Sequence, residues 1–320
     1  MPTAEPTELL YLTSPTFVAH WLPNAVEPNR PAGHPERPGR IEAVWTAMNL
    51  AGYTQTIVDQ PASDAVLGLV HPQAYIEHVA ASVGGYADAE ETFVGPQSDR
   101  AARLGAAAMV RAAEWGLAGR PAFAAMRPPG HHALADRAMG FCLYANLALA
   151  ARHLQQRRGA GNIAILDFDV HHGNGTQDIF YADPTVLTVS IHQHPKTLWP
   201  GSGFEDETGT GDGLGACLNL PLLPGSGDNV MLDAIDRAID AAEAFGPDVI
   251  LIAAGFDSHR HDPLGGLDVT TACFGEIGRR LRAAAERLCG GRIASSLEGG
   301  YNLDVLGESV RYFCDGLGGK

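Results

Sequence analysis

Two carboxylates and one imidazole follow a short apolar run at a spacing of two residues. The run is residues 163–166, and Asp167, Asp169 and His171 come directly after it. In an extended chain this spacing points the three side chains to the same side. Burying such charges without compensation is costly, so the group predicts a bound divalent cation, with Asp169 and His171 as its natural ligands. The alternative is that the aspartates cap a following helix and the histidine is an ordinary buried residue.

Asp257 follows another apolar run, residues 249–254, and completes a set of three protein ligands. Two carboxylates and one imidazole leave coordination positions open for water and substrate, as catalytic zinc sites do. Because no softer ligand accompanies them, Zn²⁺, Fe²⁺, Co²⁺ and Mn²⁺ all suit these donors. The three residues therefore predict a catalytic metal centre.

Three further side chains are suited to proton transfer and charge stabilisation. His131 and His132 follow Pro-Pro-Gly, a rigid turn, and imidazoles titrate near neutral pH, so they are candidate proton carriers. Tyr301 follows two glycines, and its hydroxyl could donate a hydrogen bond to an oxyanion opposite a metal. If either motif stood alone in the sequence, the simpler interpretation would be a surface His-His pair or a partly buried tyrosine without a catalytic role.

Strand and helix patterns alternate along the chain, which predicts an α/β fold with a mostly parallel, doubly wound sheet. The polar groups above follow four apolar runs, residues 121–126, 163–166, 249–254 and 292–297. Ligands bind at the carboxyl ends of parallel strands, so these groups should meet at one edge. We predict a first strand at 9–12, a loop at 23–39, and helices from 37 to about 50 and at 101–116, 142–157, 228–244 and 270–288. Thr270 is a candidate N-cap of the last helix, and Gly290 lies just past its end. Without repeats or linkers, residues 1–320 should form one domain.

The long connection from residue 193 to residue 216 is a second signal of function. It contains Trp199, Pro200 and six glycines, and loops of this length in compact domains are usually functional or disordered. It follows the predicted strand 186–192, so it should lie over the same sheet edge. Its glycines match neither a P-loop nor a dinucleotide-binding motif.

Composition excludes several classes of protein. The 320-residue chain has 22 basic and 37 acidic residues, a formal net charge of −15, which argues against direct nucleic-acid binding. No apolar run approaches the ~18 residues that predict a membrane span, and the N-terminal residues lack the features of a secretion signal. The five cysteines show no pairing pattern, so we expect reduced packing residues in a cytoplasmic protein.

Five motifs, four of which carry these polar groups, resemble those of the zinc-dependent deacetylase family, which includes histone deacetylases, acetylpolyamine amidohydrolases and bacterial relatives. They are RPPGHHA (127–133), GFC (140–142), DFDVHHGNGTQ (167–177), AGFDSHRHDPLGG (254–266) and EGGYN (298–302). HPERPGRI (34–41) and VHPQAYIEHV (70–79) match as well, so the resemblance covers nearly the whole chain. It implies an arginase/deacetylase-like fold in a single catalytic domain, with helices on both faces of the sheet. It also implies that the protein is a class II-like bacterial member of this family.

The resemblance assigns a role to each polar group. The metal, zinc with Fe²⁺ or Co²⁺ as alternatives, would be bound by Asp169, His171 and Asp257. The groups acting on the scissile amide would be His131, His132 and Tyr301, with Asp167 orienting His131 and Asn174 pairing with His132. The expected reaction is attack of activated water on an acyl-lysine or another acetylated amine, with release of acetate.

The resemblance also implies substrate and potassium sites. The carbonyl of Gly140 would accept the amide N–H, and Phe141 and Trp199 would form the walls of a narrow channel, with Leu264 and Gly300 as further substrate contacts. A structural potassium ion would be bound by Asp167, Asp169, His171, Ser190 and Ile191. A second would involve Phe180, Asp183 and Val186.

Two positions refine this interpretation. Asn174 stands where some family members have aspartate, and a neutral partner should make His132 easier to keep neutral than His131, which lies beside Asp167; which histidine is base and which acid stays open. Leu264 stands where a polyamine-selective eukaryotic relative has glutamate, which favours acyl-lysine. Acidic residues elsewhere, such as Glu90 or Glu91, keep acetylpolyamine as the alternative substrate.

Two rival functions share this chemistry. An arginase-type hydrolase would need two metals held by extra carboxylates, which this sequence lacks after His171 and Asp257. A non-catalytic acyl-ligand sensor would have no need of His131, His132 and Tyr301, all of which are present. A deacetylase is therefore expected, whereas the acyl length and the oligomeric state, including any homo-oligomer, stay open.

Overall fold

The computed structural model describes residues 9–21, 33–88 and 91–320. Its strands are β1 (Leu10–Thr13), β2 (Gln55–Ile57), β3 (Gly85–Tyr86), β4 (Phe93–Val94), β5 (Ala122–Ala124), β6 (Ile163–Asp167), β7 (Val186–Gln193), β8 (Cys217–Leu222), β9 (Val249–Ala254) and β10 (Ile293–Leu297). Eight of them form one sheet in the order β2-β1-β5-β10-β9-β6-β7-β8. All neighbours in this sheet are parallel, and β3 and β4 form a separate antiparallel hairpin.

Helices cover both faces of the main sheet. They are α1 (Gly39–Leu50), α2 (Asp64–Leu67), α3 (Gln73–Ala81), α4 (Ser98–Leu117), α5 (Asn146–Arg158), α6 (Asn174–Phe180), α7 (Asp228–Phe245), α8 (Thr271–Cys289) and α9 (Leu303–Gly318). Every residue of β6, β7, β9 and β10 is buried. Because alternate residues of a strand point to opposite faces, complete burial requires cover on both. The predicted α/β fold is confirmed.

Helix ends follow local sequence signals where those signals are strong. Thr270 caps α8 by accepting a hydrogen bond from the N–H of Cys273, and Gly290 ends it in a left-handed conformation. Both were predicted, because a threonine before a helix and a glycine after it satisfy backbone groups that the helix leaves unpaired. Helices α4, α7 and α8 begin and end within a few residues of the predicted bounds.

The helix predicted at 142–157 begins later than expected. It starts at Asn146, because residues 139–142 form a tight turn in which Met139 and Cys142 pair across a β-bridge. Phe141 in this turn has φ 68°, a left-handed conformation that a helix does not contain and that is unusual for a bulky side chain. The apolar residues of 142–145 suggested a helix, but they pack in the core from an irregular backbone.

Other sequence predictions can be placed on this fold. The first strand is Leu10–Thr13, one residue later than predicted, and the long connection does run from the end of β7 to the start of β8. The predicted loop at 23–39 lies mostly outside the described residues, as does Glu90. All five cysteines are buried and outside disulfides, as predicted. Among the described helices, none has both the length and the apolar character needed to cross a bilayer.

A buried cluster of charges joins the start of α1 to the end of β5. Glu36 accepts hydrogen bonds from Arg127 Nε at 2.5 Å and Nη2 at 2.6 Å, and from Arg40 Nη1 at 3.0 Å. His20 Nε2 lies 3.3 Å from the same carboxylate. Although burial opposes ionisation, Arg127 and His20 hold the pKa of Glu36 well below its usual value. One carboxylate therefore compensates two guanidinium groups that have no exposure to solvent.

Removing this charge should destabilise the fold. Glu36→Gln leaves Arg40 and Arg127 buried without their anion, and we expect the free energy of unfolding to fall by about 3–5 kcal/mol. Chemical denaturation of both proteins measures the difference. The matched control is Glu308→Gln, which removes an exposed partner of Arg311 and should cost less than about 1 kcal/mol. Equal effects of the two substitutions would contradict the structural role of the buried cluster.

Candidate active site

The sheet order brings the predicted polar groups to one edge. Strands β5, β10, β9 and β6 are consecutive neighbours, and the segments after their carboxyl ends carry His131, Tyr301, Asp257 and Asp169. In register, Asp167 at the end of β6 pairs with Ala253 of β9. Because all four strands are parallel, their ends face the same side. The meeting of these groups, expected from the sequence, is observed.

Asp169, His171 and Asp257 form one buried group. One potential ligand atom from each lies within 4.8 Å of the other two, and all three residues are buried. His171 Nδ1 is 3.1 Å from Asp169 Oδ1 and 3.1 Å from Asp257 Oδ2. The three donors expected from the sequence therefore converge on a single point.

The backbone around this group is shaped by glycine. A side chain at Gly255 would collide with Asp169, and a side chain at Gly299 would collide with the carboxylates of both Asp169 and Asp257. The N–H of Gly299 instead donates to Asp169 Oδ2 at 2.7 Å. Glycine at both positions lets the two carboxylates approach each other.

The electrostatics show that the group needs positive charge. Burial and the nearby Asp169 carboxylate raise the pKa of Asp257 to about 7. Burial works against a charged imidazole, yet hydrogen bonds to Asp169 and Asp257 raise the pKa of His171 to about 10. Against the effect of burial, His131 and His171 hold the pKa of Asp169 well below its usual value. Asp257 and His171 thus tend to keep protons in this buried group, and a divalent cation would replace them. The hard oxygen donors and the imidazole nitrogen suit Zn²⁺ or a related ion.

His131 and His132 are held by different partners. His131 Nδ1 is 2.8 Å from Asp167 Oδ2, and His132 Nδ1 is 2.7 Å from Asn174 Oδ1. Against the effect of burial, Asp167 and Asp169 raise the pKa of His131 to about 10, whereas burial and two neighbouring histidines lower the pKa of His132 well below its usual value. These directions agree with the sequence-based expectation. The imidazole centroids are only 3.9 Å apart.

A buried glutamate aligns the turn that carries this pair. Glu298 Oε2 accepts the N–H groups of Gly130 at 2.7 Å and His131 at 3.1 Å, and Oε1 accepts the hydroxyl of Ser296 at 2.6 Å. From the sequence, Glu298 was recognised only as part of a motif, without a role of its own. A carboxylate directly after the predicted strand at 292–297 was the available signal.

Tyr301 faces the same cavity from the segment after β10. Its side chain is 8% exposed, and burial raises the pKa of its hydroxyl well above the usual value, so the phenol stays protonated. The guanidinium carbon of Arg40 lies 4.8 Å from its ring centroid. The ring of Phe141 packs edge-on with a centroid distance of 6.0 Å.

A cavity of about 180 Å³ leads to these groups. Its lining combines polar groups at the inner end with apolar walls, namely Glu91, His132, Gly140, Phe141, His171, Leu198, Trp199, Leu264 and Tyr301. Four of the five residues predicted to contact the substrate therefore line this cavity. Gly300 is not part of the lining; its carbonyl accepts a hydrogen bond from Arg40 Nε at 2.6 Å behind Tyr301.

Two polar networks hold the aromatic walls. The N–H of Phe141 donates to Thr92 Oγ1 at 3.2 Å, which supports its left-handed backbone. In the 193–216 connection, Glu207 accepts the N–H groups of Gly203 and Phe204, each at 2.9 Å, and the side chain of Gln177 at 2.6 Å. Glu207 was not recognised from the sequence, because its partner Gln177 is distant in the chain.

Trp199 is carried by this connection and lies against the histidine pair. Its ring centroid is 4.8 Å from that of His132 in an edge-on arrangement. The side chain is 41% exposed, so one side of the indole is open to solvent and the other contacts the site. The prediction that this connection lies over the carboxyl edge of the sheet is confirmed.

The residues predicted to bind potassium lie in two places. Ser190 is in β7 beside Asp167, with which it is in register, and Ile191 follows it, so the first set is contiguous with the metal group. In the second set, Phe180 and Val186 flank Asp183, whose carboxylate already pairs with Arg152 at 2.6 Å. The charge of that carboxylate is therefore neutralised by the protein itself.

Comparisons with known proteins agree with this geometry. Residues 34–317 match the family described as the histone deacetylase domain. The chain is 40% identical over 285 residues to the histone deacetylase-like amidohydrolase of Pseudomonas aeruginosa, covering 87% of this chain and 75% of that protein. It is also 40% identical over 294 residues to a probable deacetylase of Methanothermobacter thermautotrophicus, covering 90% and 87% respectively.

Solved structures support the same assignment. The crystal structure of the HDA15 HD domain matches with a TM-score of 0.89 and 35% identity, covering 98% of this chain and 90% of that one. An acetylpolyamine aminohydrolase from Burkholderia pseudomallei matches with a TM-score of 0.88 and 31% identity, covering 97% and 98%. With its family model, its relatives and its fold in agreement, the chain belongs to the histone deacetylase family of deacetylases and amidohydrolases.

Proposed function

We propose that this protein is a zinc-dependent amidohydrolase that removes acetyl or other short acyl groups from the ε-amine of acyl-lysine in peptides or proteins. One observation carries the proposal: His171 of the acid–imidazole–acid group, His132 of the histidine pair and the phenol of Tyr301 line the same cavity. A channel of about 180 Å³ with aromatic and aliphatic walls suits an extended aliphatic chain bearing an amide.

The metal ligands would be Asp169, His171 and Asp257, since their donor atoms converge and their charges need compensation. When bound, a divalent cation polarises the amide carbonyl and lowers the pKa of a water molecule. The protein's part is to keep these three donors fixed. Hydrogen bonds from backbone N–H groups to Asp169 and Asp257 do so.

The histidine pair moves the protons. Because the Nδ1 atoms of His131 and His132 are engaged by Asp167 and Asn174, their Nε2 atoms are left for the reacting groups. Together the two imidazoles accept the proton of the attacking water and deliver one to the leaving amine. Asp167 and Asn174 orient the rings throughout.

Tyr301 stabilises the charge that develops on the amide oxygen. Its protonated hydroxyl donates a hydrogen bond that is stronger in the transition state than in the ground state. Gly140 at the cavity wall would accept the substrate amide N–H through its carbonyl. Phe141 and Trp199 would exclude water along the aliphatic chain.

A potassium site and a cytoplasmic location belong to the same proposal. A structural K⁺ would be held by Asp167, Asp169, His171, Ser190 and Ile191, and would neutralise part of the remaining acidic charge. The buried, unpaired cysteines suit a reducing cytoplasm.

A second candidate substrate is an acetylated polyamine. Glu91 lines the cavity, and one of the similar structures is an acetylpolyamine aminohydrolase. An acidic residue near the mouth would favour a second amine on the substrate. Leu264 lines the same cavity and favours acyl-lysine, whose distal part carries no such amine.

Removal of the phenol should slow the reaction itself. We expect the wild-type protein to release acetate from an acetyl-lysine peptide, and Tyr301→Phe to lower kcat by about 10²–10³-fold, because one oxyanion donor is lost. An acetate-release assay measures both. Tyr312→Phe removes the hydroxyl of a partly exposed tyrosine on α9 and should leave kcat unchanged. If Tyr301→Phe turned over as fast as the wild type, the phenol hydroxyl would have no role in the reaction. If the wild type released no acetate, the proposed function would be wrong.

A charge introduced at position 264 should change the preference between the two candidate substrates. Leu264→Glu adds a carboxylate at the cavity wall, and we expect it to raise kcat/KM for N-acetylputrescine relative to a neutral acetyl-lysine peptide by about fivefold, the worth of one partly exposed ion pair of about 1 kcal/mol. Leu264→Gln is the matched control, since it has the same shape without the charge. An equal ratio for the two variants would show that charge at this wall does not select the substrate.

A further inference from the structure

The peptide group between Gly300 and Tyr301 is held at both ends by buried charged side chains. Its carbonyl accepts a hydrogen bond from Arg40 Nε at 2.6 Å. Its N–H donates to Asp262 Oδ2 at 2.6 Å. Arg40 is fully buried and Asp262 is 8% exposed. A cation thus holds the oxygen of this peptide and an anion holds its N–H, and hydrogen bonds to charged groups are the stronger kind.

This peptide needs external support because of its sequence. Gly300 has φ 119°, a region that other residues rarely adopt. A side chain there would collide with Leu306 and Phe256, so glycine is required. Glycine also leaves the following peptide plane free to rotate, and such a rotation would redirect the Cα–Cβ bond of Tyr301 and move its hydroxyl.

Asp262 ties this peptide to the neighbouring segment. Its Oδ2 also accepts the N–H of Asn302 at 3.2 Å, and its Oδ1 accepts the N–H of Leu264 at 3.0 Å. The side chain of Asn302 returns a hydrogen bond to the carbonyl of His261 at 2.7 Å. One carboxylate therefore joins the segment after β9 to the segment after β10. Both segments supply cavity-lining residues, Leu264 and Tyr301.

We propose that Asp262 is a positioning residue that fixes the Gly300–Tyr301 peptide, and through it the hydroxyl of Tyr301, in the orientation needed to meet the substrate carbonyl. It contacts neither the cavity nor the reacting atoms and acts through Tyr301 and Leu264. The inference rests on the proposed amidohydrolase function. It adds a residue that couples the substrate-channel wall to the catalytic phenol.

The first test separates turnover from binding. Asp262→Ala removes all three hydrogen bonds, and we expect kcat to fall by about 10²-fold with a small change in KM, as for a misplacement of about 1 Å at a catalytic group. Asp262→Asn keeps one acceptor oxygen and should fall between Ala and wild type. Asp304→Asn, an exposed aspartate three residues after Tyr301, is the matched control and should match wild type.

The decisive test is a double-mutant cycle with Tyr301→Phe. If Asp262 acts through the phenol, adding Asp262→Asn to Tyr301→Phe should change kcat by no more than about twofold, the error of additivity. Equal losses in both backgrounds would overturn the proposal, as would wild-type kcat in Asp262→Ala. Bound metal and the midpoint of thermal unfolding are measured for each variant, so that a loss of metal or fold is recognised.

A measurement on the unaltered protein covers variants that fail to fold. Hydrogen exchange at the Tyr301 amide should be as slow as exchange in β10, since its N–H is buried on a carboxylate. Exchange as fast as in exposed segments would overturn the proposal. If the wild type releases no acetate but this amide is protected, the proposed function fails while the anchoring of the peptide stands. If acetate is released and the decreases in kcat caused by the Asp262 and Tyr301 substitutions are additive, only the proposed role of Asp262 fails.

Discussion

Two carboxylates, Asp169 and Asp257, are buried within reach of one imidazole at the end of β6, and this crowding of charge is the constraint on which the site depends. Buried charges persist only when they are paired and hydrogen-bonded. Backbone N–H groups of Val170 and Gly299 donate to the two carboxylates, and His171 lies between them. The remaining acceptor capacity converges on one point, which is why a divalent cation explains the arrangement better than packing does.

Around this group the protein uses buried and partly buried charged side chains to hold the backbone rather than the substrate. Glu298 aligns the turn of the histidine pair, Glu207 secures the connection that carries Trp199, and Arg40 holds the carbonyl of Gly300. Each joins segments far apart in sequence. Loops at a sheet edge have few apolar contacts of their own, so charge-assisted hydrogen bonds supply the rigidity that a preorganised site requires.

The sequence predicted the parts of the structure that local patterns encode. Apolar runs followed by Asp169, Asp257 and Tyr301 predicted parallel strands with these polar side chains at one edge of the sheet. The caps of α8 were recognised from Thr270 and Gly290. What could not be predicted depends on distant partners. Helix α5 begins later than predicted because the preceding turn has a left-handed backbone at Phe141. The roles of Glu298, Glu207 and Arg40 were not predicted, because their hydrogen-bond partners are distant in the sequence.

We propose that one divalent cation, held by Asp169, His171 and Asp257, makes this site hydrolytic. The most direct measurement removes bound metal with a chelator and then titrates Zn²⁺ against acetate release from an acetyl-lysine peptide. We expect activity to be lost on chelation and to return in proportion to added metal until one equivalent per chain is bound. Saturation at two equivalents, or undiminished release from the metal-free protein, would contradict it.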